Sequence, residues 1–190
     1  MTSVSYFADG WGVGEVWFDG ARLVWHELPT PKREGSRGTR PRTRATPTQK
    51  GGGKRPPPTR STIAAKGARG GHACAPEVED LLHRLEAYFA GKEVSFAPVE
   101  LDVDGWTPFQ LDVVEALRHV RYGEILSYRD LARLAGHPRA QRAAGTFCAR
   151  NRFPIVVPCH RVVASDGLGS YGPLGTGYKQ RLLALEGVAV

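Results

Sequence analysis

Apolar residues recur at helical spacing in two stretches of the chain. Within residues 76–92 they lie three and four positions apart and Gly91 follows them, which predicts a helix ending at that glycine. This stripe consists of Val78, Leu81, Leu82, Leu85, Tyr88 and Phe89. A second helix is predicted to begin at Thr107-Pro108, because proline is favoured at the first helical position, and to stop at Tyr122-Gly123. Its buried stripe is predicted to be Phe109, Val113, Val114, Leu117 and Val120.

Strand-like patterns occupy the beginning of the chain. Residues 1–29 contain short apolar runs on either side of Asp19-Gly20, a dipeptide typical of hairpin turns. A further β-type run at residues 155–157 is expected to cross the core as a strand, and Pro158 is expected to end it. The sequence therefore predicts a β-rich beginning followed by a mainly helical second half.

Two short helices are predicted between residues 127 and 151. They are separated by Gly136-His137-Pro138, and short helices joined by a glycine-containing turn form the outline of a helix-turn-helix. One face of the second helix carries small side chains, and arginines add positive charge to it. The small residues are Ala140, Ala143, Ala144 and Gly145, and the arginines are Arg139, Arg142 and Arg150. Such a face suits either tight helix packing or close approach to DNA.

The positive charge of the chain is concentrated in one segment. The formal net charge is +7, yet residues 30–72 hold 12 of the 26 lysines and arginines and a single acid, Glu34. The segment also has six prolines, eight glycines and one large aliphatic residue, Ile63. It buries too little apolar area to offset its ordering entropy, so we expect disorder. It is either a tether that contacts DNA phosphates or an insertion that merely stays soluble.

The cellular setting follows from features that the sequence lacks. Three scattered cysteines, Cys74, Cys148 and Cys159, argue against a disulfide framework and for a reducing compartment. No apolar run approaches the roughly 18 to 20 residues needed to cross a bilayer, and the first residues lack the pattern of a secretory signal. We expect a cytoplasmic protein, associated with the nucleoid if its source is bacterial, with no membrane contact.

A candidate nucleophile follows the apolar run at residues 155–157. Cys159 comes directly after Pro158, and His160 is its neighbour. A thiol becomes a useful nucleophile when a neighbouring base or cation favours the thiolate. A Cys-His pair alone is weak evidence, because most buried cysteines are inert core residues.

One motif resembles the active site of the O6-alkylguanine-DNA alkyltransferases, or methylated-DNA–protein-cysteine methyltransferases: PCHRVV at residues 158–163. Further segments resemble the same family in the same order. They are EAYFAGK, TPFQLDVVEALRHVRYGEILSY, RAAG, the approach from Asn151 to Pro158, and LLALEG. The resemblance covers residues 77–187, and the first 29 residues are similar to the family's small N-terminal part only loosely.

The resemblance implies an α+β fold. A small β-rich N-terminal domain would precede a mainly helical C-terminal domain that holds the helix-turn-helix and the active-site cysteine loop. The expected parts are a β-hairpin region at 1–29, a disordered basic insert rich in proline and glycine at 30–75, a helix and connection completing the N-terminal domain at 76–104, and the DNA-binding alkyltransferase domain at 105–190.

The resemblance also implies an activity, the direct and irreversible transfer of an alkyl group from O6-alkylguanine in DNA to Cys159. The enzyme would be suicidal, with one turnover per molecule, no cofactor and no metal. His160 would take the thiol proton through a bound water, and Glu186 would orient that histidine. Asn151 resembles the asparagine that ties the helix-turn-helix to the active-site strand, and a helix cap is an equally open interpretation of that residue.

The implied partner is double-stranded DNA containing O6-alkylguanine, bound through its minor groove by a monomer. Arg142 resembles the arginine that fills the space left by an extruded base, and Tyr128 the tyrosine that crowds the phosphate and contacts the guanine. The small residues of the second helix would fit the narrow minor groove. Those assigned to DNA contact are Ala140, Ala143 and Gly145.

Four residues are implied in the lesion pocket. Pro154 would pack against the alkyl group, the backbone of Val162 and of Cys159 would receive the exocyclic amine of the guanine, and Tyr171 would cover the base. The tyrosine of GLGSYG comes one residue earlier than the family's pattern has it, and Arg152 stands where the family often has proline.

Other titratable residues receive no role from the sequence. The zinc site of some family members is not expected, because only His72-Ala73-Cys74 offers adjacent ligands. Cys148 is interpreted as a packed thiol. Four histidines are interpreted as surface or interface residues, namely His26, His83, His119 and His137.

Three other functions are weighed against alkyl transfer. A non-catalytic protein that recognises alkyl lesions would lack the cysteine of PCHR, whereas Cys159 is present. A helix-turn-helix regulator that senses alkylation would need an additional DNA-binding domain. A cysteine hydrolase using Cys159, His160 and Glu186 would leave the helix-turn-helix without a purpose.

Overall fold

The computed structural model describes residues 1–31, 62–64 and 75–190, with only the backbone described at 62–64. Most of the basic insert therefore lies outside the described residues, and its predicted disorder stays a prediction. The His72-Ala73-Cys74 segment lies outside them as well. Within the described residues, no helix combines the length and the apolar character that crossing a bilayer requires.

An antiparallel sheet forms the first part of the chain. Its strands β1 (Thr2–Ala8), β2 (Gly12–Asp19) and β3 (Arg22–Thr30) lie in the order β3-β2-β1. Asp19 pairs with Arg22 across a tight turn, which confirms the predicted hairpin. Alternate residues of β1 and β2 are buried, as expected of a sheet that covers a core with one face.

A short strand adds to this sheet from within the basic insert. β4 (Thr62–Ala64) pairs in parallel with β1. Disorder was expected throughout residues 30–75, so these three residues require a correction. Threonine and isoleucine favour strands, and the outer edge of β1 offers unpaired backbone groups that a passing segment can bind.

The helix predicted from residue 76 is α1 (Pro76–Phe89), which packs against β1. Its apolar stripe is buried as predicted, with Leu82 half-buried. Gly91 has a φ of +81° just beyond its end, the left-handed conformation with which glycine terminates helices. The connection then returns to the sheet, where the backbone of Leu23 makes hydrogen bonds of 2.8 Å with Glu100 and with Asp102.

Helices form most of the second half of the chain. The first begins where Thr107-Pro108 predicted it, with a capping box between Thr107 and Gln110. The next two have the predicted helix-turn-helix outline, and Ser127 and Asp130 form a capping box at the start of that motif. These elements are α2 (Pro108–Arg118), α3 (Tyr128–Leu134), α4 (Gln141–Ala149) and the closing helix α5 (Gly175–Leu185).

Two strands of two residues each connect the helix-turn-helix to the segment after Cys159. β5 (Leu126–Ser127) directly precedes α3 and pairs in parallel with β6 (Val162–Val163). The start of α3 is thereby held next to the active-site motif.

Residues 155–157 do not form the predicted strand. They lie in a turn closed by hydrogen bonds of 2.8 Å from Val157 N to Phe153 O and from Cys159 N to Val157 O. Ile155 has a φ of +71°, a conformation that β-branched residues rarely adopt. All three residues are buried. The run is apolar because the turn is buried beneath Cys159, and the sequence pattern does not distinguish a buried turn from a buried strand.

Candidate active site

Cys159 begins a 3-10 turn, Cys159–Arg161, at the end of this buried segment. Cys159 is only 5% exposed. Asn151, which follows α4, donates from Nδ2 to the Cys159 sulfur at 3.1 Å and to the Val157 carbonyl at 2.7 Å. Its Oδ1 accepts from the Phe153 amide at 3.0 Å. One amide side chain therefore joins the end of the helix-turn-helix to the turn beneath Cys159, where the sequence analysis expected a strand.

The Cys159 thiol is protonated at rest. Burial raises its pKa, and the hydrogen bond from Asn151 and the positive charge of Lys179 offset only part of that rise. Because the thiolate is the nucleophile in cysteine chemistry, the site requires a base that can remove this proton.

His160 has the geometry of such a base. It is completely buried, and its Nε2 donates to Glu186 Oε1 at 2.7 Å. Because Nε2 carries the hydrogen, Nδ1 has the free lone pair, and Nδ1 has no hydrogen-bond partner among the described residues. Burial lowers the pKa of His160, and the hydrogen bond with Glu186 offsets part of that effect. The resting imidazole is therefore neutral and can accept a proton.

Glu186 is a buried anion with several donors around it. Arg161 donates to it through Nε at 2.9 Å and through a terminal nitrogen at 3.0 Å, and the Gly123 amide donates at 3.2 Å. Tyr88 donates from its hydroxyl to Oε1 at 2.7 Å. Burial alone would raise the pKa of Glu186, but the hydrogen bonds from His160 and Arg161 outweigh it and keep this pKa well below its ordinary value. The carboxylate can therefore stabilise a protonated His160.

Three buried residues of this cluster have no role predicted from the sequence. Arg161 and Tyr88 stand within segments that resemble the family, but no spacing shows that both reach Glu186. Lys179 of α5 is 0% exposed, and its ammonium donates to the carbonyls of Val162 and Leu168. Lys179 thus joins β6 to the loop that follows it. No pattern in the sequence predicts that this helical lysine is buried or makes that contact.

Tyr171 lies close enough to Cys159 for the two side chains to interact. Burial raises its pKa well above the ordinary value, and the negative charge of a Cys159 thiolate adds to the rise. Its ring stacks on Tyr178 of α5, with centroids 6.3 Å apart and planes 15° apart. The structure also places the half-buried Pro154 in the turn beneath Cys159 and the buried Val162 directly after the 3-10 turn.

Tyr128 connects the helix-turn-helix to the loop before α5. A side chain at Gly145 would come within 3.8 Å of the Tyr128 ring, and one at Gly169 within 3.4 Å of its hydroxyl. Gly169 also has a φ of +69°, which favours glycine. Burial raises the pKa of Tyr128, so its hydroxyl keeps its proton and can donate a hydrogen bond.

The small residues of α4 do not all share one surface. Ala144 is 0% exposed and packs in the core, so at this position the small side chain serves tight helix packing, one of the two interpretations left open by the sequence. Ala143 and Arg142 are exposed, and Ala140 and Gly145 are half-buried. The helix thus packs against the core through Ala144 and leaves the neighbouring small residues accessible.

His26 lies between the N-terminal sheet and the active-site segment. It is 2% exposed, and its Nδ1 donates to the Pro154 carbonyl at 2.7 Å. It is therefore an interface residue and not a surface residue, whereas His83 and His119 are exposed. The fourth, His137, is half-buried and lies 2.9 Å from Asp112.

Comparison with known proteins identifies the family. Residues 108–188 match the family described as 6-O-methylguanine DNA methyltransferase, DNA binding domain. A methylated-DNA–protein-cysteine methyltransferase from Methanopyrus kandleri is 42% identical over 133 residues, which cover 68% of this chain and 91% of that protein. The chain belongs to the methylated-DNA–protein-cysteine methyltransferase family.

Solved structures of methyltransferases extend the match to nearly the whole chain. The Mycobacterium tuberculosis OGT in complex with DNA is 30% identical, with 97% of this chain and 91% of that chain covered and a TM-score of 0.66. The O6-methylguanine-DNA methyltransferase from Pyrococcus kodakaraensis is 26% identical, with 98% and 100% covered and a TM-score of 0.62. Both the resemblance and the α+β fold predicted from the sequence are confirmed.

Within this methyltransferase, the matched domain contains α2 to α5. It therefore includes the helix-turn-helix, the Cys159 turn and Glu186 in one continuous unit. The N-terminal part contributes to the site from outside that unit through Tyr88 of α1 and His26 of β3.

Proposed function

We propose that Cys159 is the residue on which this protein accepts an alkyl group from the O6 position of guanine in DNA. As a methylated-DNA–protein-cysteine methyltransferase, the protein repairs DNA by transferring the alkyl group to a cysteine of its own. The observation that carries the assignment to Cys159 is its place beside His160, whose Nδ1 lone pair is free while Nε2 is engaged by Glu186. The second cysteine of the described residues, Cys148, has no such base.

The chemical step balances within this cluster. The proton of the Cys159 thiol passes to Nδ1 of His160 through a water molecule, and Glu186 stabilises the resulting imidazolium. The thiolate attacks the alkyl carbon, so that a carbon–sulfur bond forms while the bond between that carbon and O6 breaks. The departing guanine takes the electron pair of the broken bond and is neutralised by a proton from solvent, while the imidazolium of His160 returns its proton to solvent. Water does not reverse a thioether, so each molecule reacts once.

Donors around the sulfur favour the reactive form. The Asn151 amide and the Lys179 ammonium both lower the pKa of Cys159, and both stabilise the thiolate once His160 has taken the proton. These groups are fixed by other hydrogen bonds, Asn151 to Val157 and Phe153, and Lys179 to Val162 and Leu168. Such preorganised donors need no rearrangement when charge develops.

The helix-turn-helix brings the lesion to this sulfur. A guanine inside a duplex must be extruded, which costs a few kcal/mol. Arg142 is exposed on α4 and is proposed to fill the space that the base leaves, with Ala140, Ala143 and Gly145 permitting close approach of the helix to the minor groove. Tyr128, at the start of α3, is proposed to contact the guanine and its phosphate.

The pocket for the extruded base is proposed to lie at Cys159. Pro154 packs against the alkyl group, and the backbone of Val162 and Cys159 accepts the exocyclic amine of the guanine. Tyr171 covers the base. The stacking of Tyr171 on Tyr178 favours this role, because the contact with α5 holds the Tyr171 ring in place.

The proposed setting is cytoplasmic and, in a bacterial source, close to the nucleoid, with the protein acting as a monomer. The family acts on DNA, and no cofactor enters the chemical step described above.

A mass measurement tests the assignment. The protein is mixed with duplex DNA carrying one O6-methylguanine, and intact and peptide masses are recorded. We expect one added methyl group on Cys159, saturating at one per protein, and none in Cys159→Ala, which should still bind the lesion duplex. Methyl uptake at Cys148 would refute the assignment. Tight lesion binding without any uptake would instead indicate a protein that recognises lesions without chemistry.

A further inference from the structure

Tyr88 joins the N-terminal domain to the base of the reaction. It is the penultimate residue of α1 and is 0% exposed. Its hydroxyl oxygen lies 2.7 Å from Glu186 Oε1 and 3.2 Å from His160 Nε2. It therefore touches both members of the pair that accepts the thiol proton, although α1 lies outside the matched DNA-binding domain.

The hydrogens in this cluster determine which group donates. Glu186 is ionised and can only accept. The single hydrogen of the Tyr88 hydroxyl therefore points to Oε1, and the Nε2 hydrogen of His160 points to the same oxygen at 2.7 Å. Tyr88 and His160 consequently share one carboxylate oxygen. Each donor that binds this oxygen reduces the negative charge available to the other.

Charged and titratable groups pack around the pair from several elements. Arg161 lies in the 3-10 turn and binds both oxygens of Glu186. Lys179 of α5 faces His160, while Tyr122 of the segment after α2 and Tyr171 of the loop before α5 face Tyr88. The Tyr122 hydroxyl donates to the Leu185 carbonyl at 2.8 Å. Apart from His160 itself, Tyr88 is the neutral side chain of the described residues that donates directly to the carboxylate.

We propose that Tyr88 is a positioning residue of alkyl transfer, which fixes the Glu186 carboxylate and weakens its hold on the His160 proton. The proposal rests on the proposed function of Cys159 and His160. Its consequence is that the N-terminal domain sets the basicity of His160. A weaker pull from Glu186 keeps His160 neutral at lower pH, so that the base stays available over a wider range.

The variant Tyr88→Phe removes the hydroxyl and keeps the ring. Glu186 Oε1 then accepts hydrogen bonds from His160 and Arg161 but no longer from Tyr88. Because more of its negative charge is available to the imidazolium, the pKa of His160 rises. One hydrogen bond of ordinary strength corresponds to a shift of roughly half a unit to one unit. We expect the acid limb of the single-turnover rate of methyl transfer to move to higher pH by that amount.

A matched control is Tyr122→Phe. Tyr122 packs edge-on against Tyr88, with centroids 6.2 Å apart, but its hydroxyl binds the Leu185 carbonyl and not Glu186. We expect its acid limb to coincide with that of the wild type. An equal shift in both variants would overturn the proposal, because it would reflect a general loosening of the cluster.

A second variant keeps the packing and reverses the sign. Incorporation of 3-fluorotyrosine at position 88 makes the hydroxyl a stronger donor, so the acid limb should move to lower pH. A folded Tyr88→Phe protein with an unchanged acid limb, or shifts of the same sign in both variants, would refute the role of Tyr88.

Titration of the His160 imidazole by NMR separates this proposal from the proposed function. The signal is assigned with His160→Gln and requires no lesion DNA. We expect the pKa of His160 to rise in Tyr88→Phe and to fall with 3-fluorotyrosine. If these shifts occur while wild-type protein takes up no methyl group, the proposed function fails and the role of Tyr88 in setting the basicity of His160 stands. Absence of both shifts in a protein that does take up methyl overturns the Tyr88 proposal alone.

Discussion

The imidazole of His26 in the N-terminal sheet donates from Nδ1 to the backbone carbonyl of Pro154, 2.7 Å away in the active-site segment. Its Nε2 lies 2.7 Å from the Tyr6 hydroxyl. A carbonyl can only accept, so Nδ1 carries the hydrogen and Tyr6 donates to Nε2. Gly14, opposite Tyr6 in the sheet, makes room for this arrangement, because a side chain there would lie 2.5 Å from the Tyr6 ring.

These contacts predict a loss of stability in mild acid. Burial lowers the pKa of His26 to about 4, whereas an unfolded histidine titrates near 6.5. The unfolded state therefore binds the proton first, and the free energy of unfolding falls as the pH decreases from about 6.5 to about 4. The loss attributable to His26 is on the order of 3 kcal/mol. Denaturant unfolding at several pH values measures it.

The control for this prediction is His26→Asn, whose amide can still donate to the Pro154 carbonyl but does not titrate. We expect the variant to be less stable at neutral pH and to lose less stability between pH 6.5 and 4. The same pH dependence in both proteins would assign the acid sensitivity to other groups, of which His160 is the first to consider because burial lowers its pKa as well and an unfolded histidine titrates in this pH range.

Transfer itself should depend on the protonation of His160. Burial lowers the pKa of His160 below its ordinary value of about 6.5, so the base is neutral at pH 7. We expect the single-turnover rate of methyl transfer to be level between about pH 7 and 8 and to fall as the pH decreases through the pKa of His160. His160→Gln should remove the acid limb together with most of the rate. A rate that rises towards acid would show that His160 does not act as the base.

Local patterns in the sequence predicted most helices, and the family resemblance predicted alkyl transfer to Cys159, but neither predicted the contacts between distant parts of the chain. The capping residues Thr107 and Ser127 and the turn at Asp19-Gly20 act on neighbours, so the sequence contains their whole signal. The turn at residues 155–157 was interpreted as a strand because burial makes both apolar. Ile155 gives no warning of its positive φ, since glycine or asparagine is the residue that usually marks one.

The residues that the sequence analysis left without a role share a different property. Tyr88, His26 and Lys179 act through hydrogen bonds to other segments of the chain. The helical periodicity predicts burial for Tyr88, and no local pattern predicts the contacts of any of the three. A buried polar group must find a partner, but the sequence does not say which. The small residues of α4 illustrate the same limit, because spacing alone could not separate the buried Ala144 from the exposed Ala143.

Asn151 should accelerate the chemical step without contributing to DNA affinity. Its Nδ2 donates to the Cys159 sulfur at 3.1 Å, and a hydrogen bond to a charged group corresponds to roughly a 10-fold to 100-fold effect. We expect Asn151→Ala to lower the single-turnover rate by this factor with unchanged affinity for lesion DNA. Asn151→Asp should be slower still, because a carboxylate beside the sulfur opposes the thiolate. Rates for the aspartate variant equal to wild type would contradict this role.

Arg142 should matter for extrusion of the base and not for the chemistry at the sulfur. It is exposed on α4, whereas Cys159 is buried. We expect Arg142→Ala to slow methyl transfer from duplex DNA by at least 10-fold, since extrusion costs a few kcal/mol. The reaction with the free base O6-benzylguanine, which needs no extrusion, should be unaffected. Arg139→Ala removes a nearby exposed charge and serves as the control. If Arg142→Ala and Arg139→Ala slow the reaction with duplex DNA equally, and neither changes the reaction with the free base, both arginines act through simple electrostatic attraction of DNA.

The last prediction concerns the positive charge of the basic insert and its contribution to DNA binding. Residues 30–72 contain 12 lysines and arginines, and none of them falls within β4, so all can be replaced by glutamine without altering that strand. Each phosphate contact contributes about 0.9 to the slope of log affinity against log salt. If the insert contacts DNA, the glutamine variant should show a shallower slope, while the rate of methyl transfer at saturating DNA stays the same.

A second variant tests whether the sequence of residues in the insert matters when its net charge is kept constant. Shuffling the residues of the insert outside β4 keeps the net charge and should keep the salt slope of the wild type, because counterion release depends on the number of phosphates neutralised and not on a specific arrangement. An unchanged slope in the glutamine variant would assign the insert no phosphate contacts. The positive charge used for DNA binding would then be that of the helix-turn-helix itself, where Arg129, Arg133, Arg139 and Arg142 are exposed.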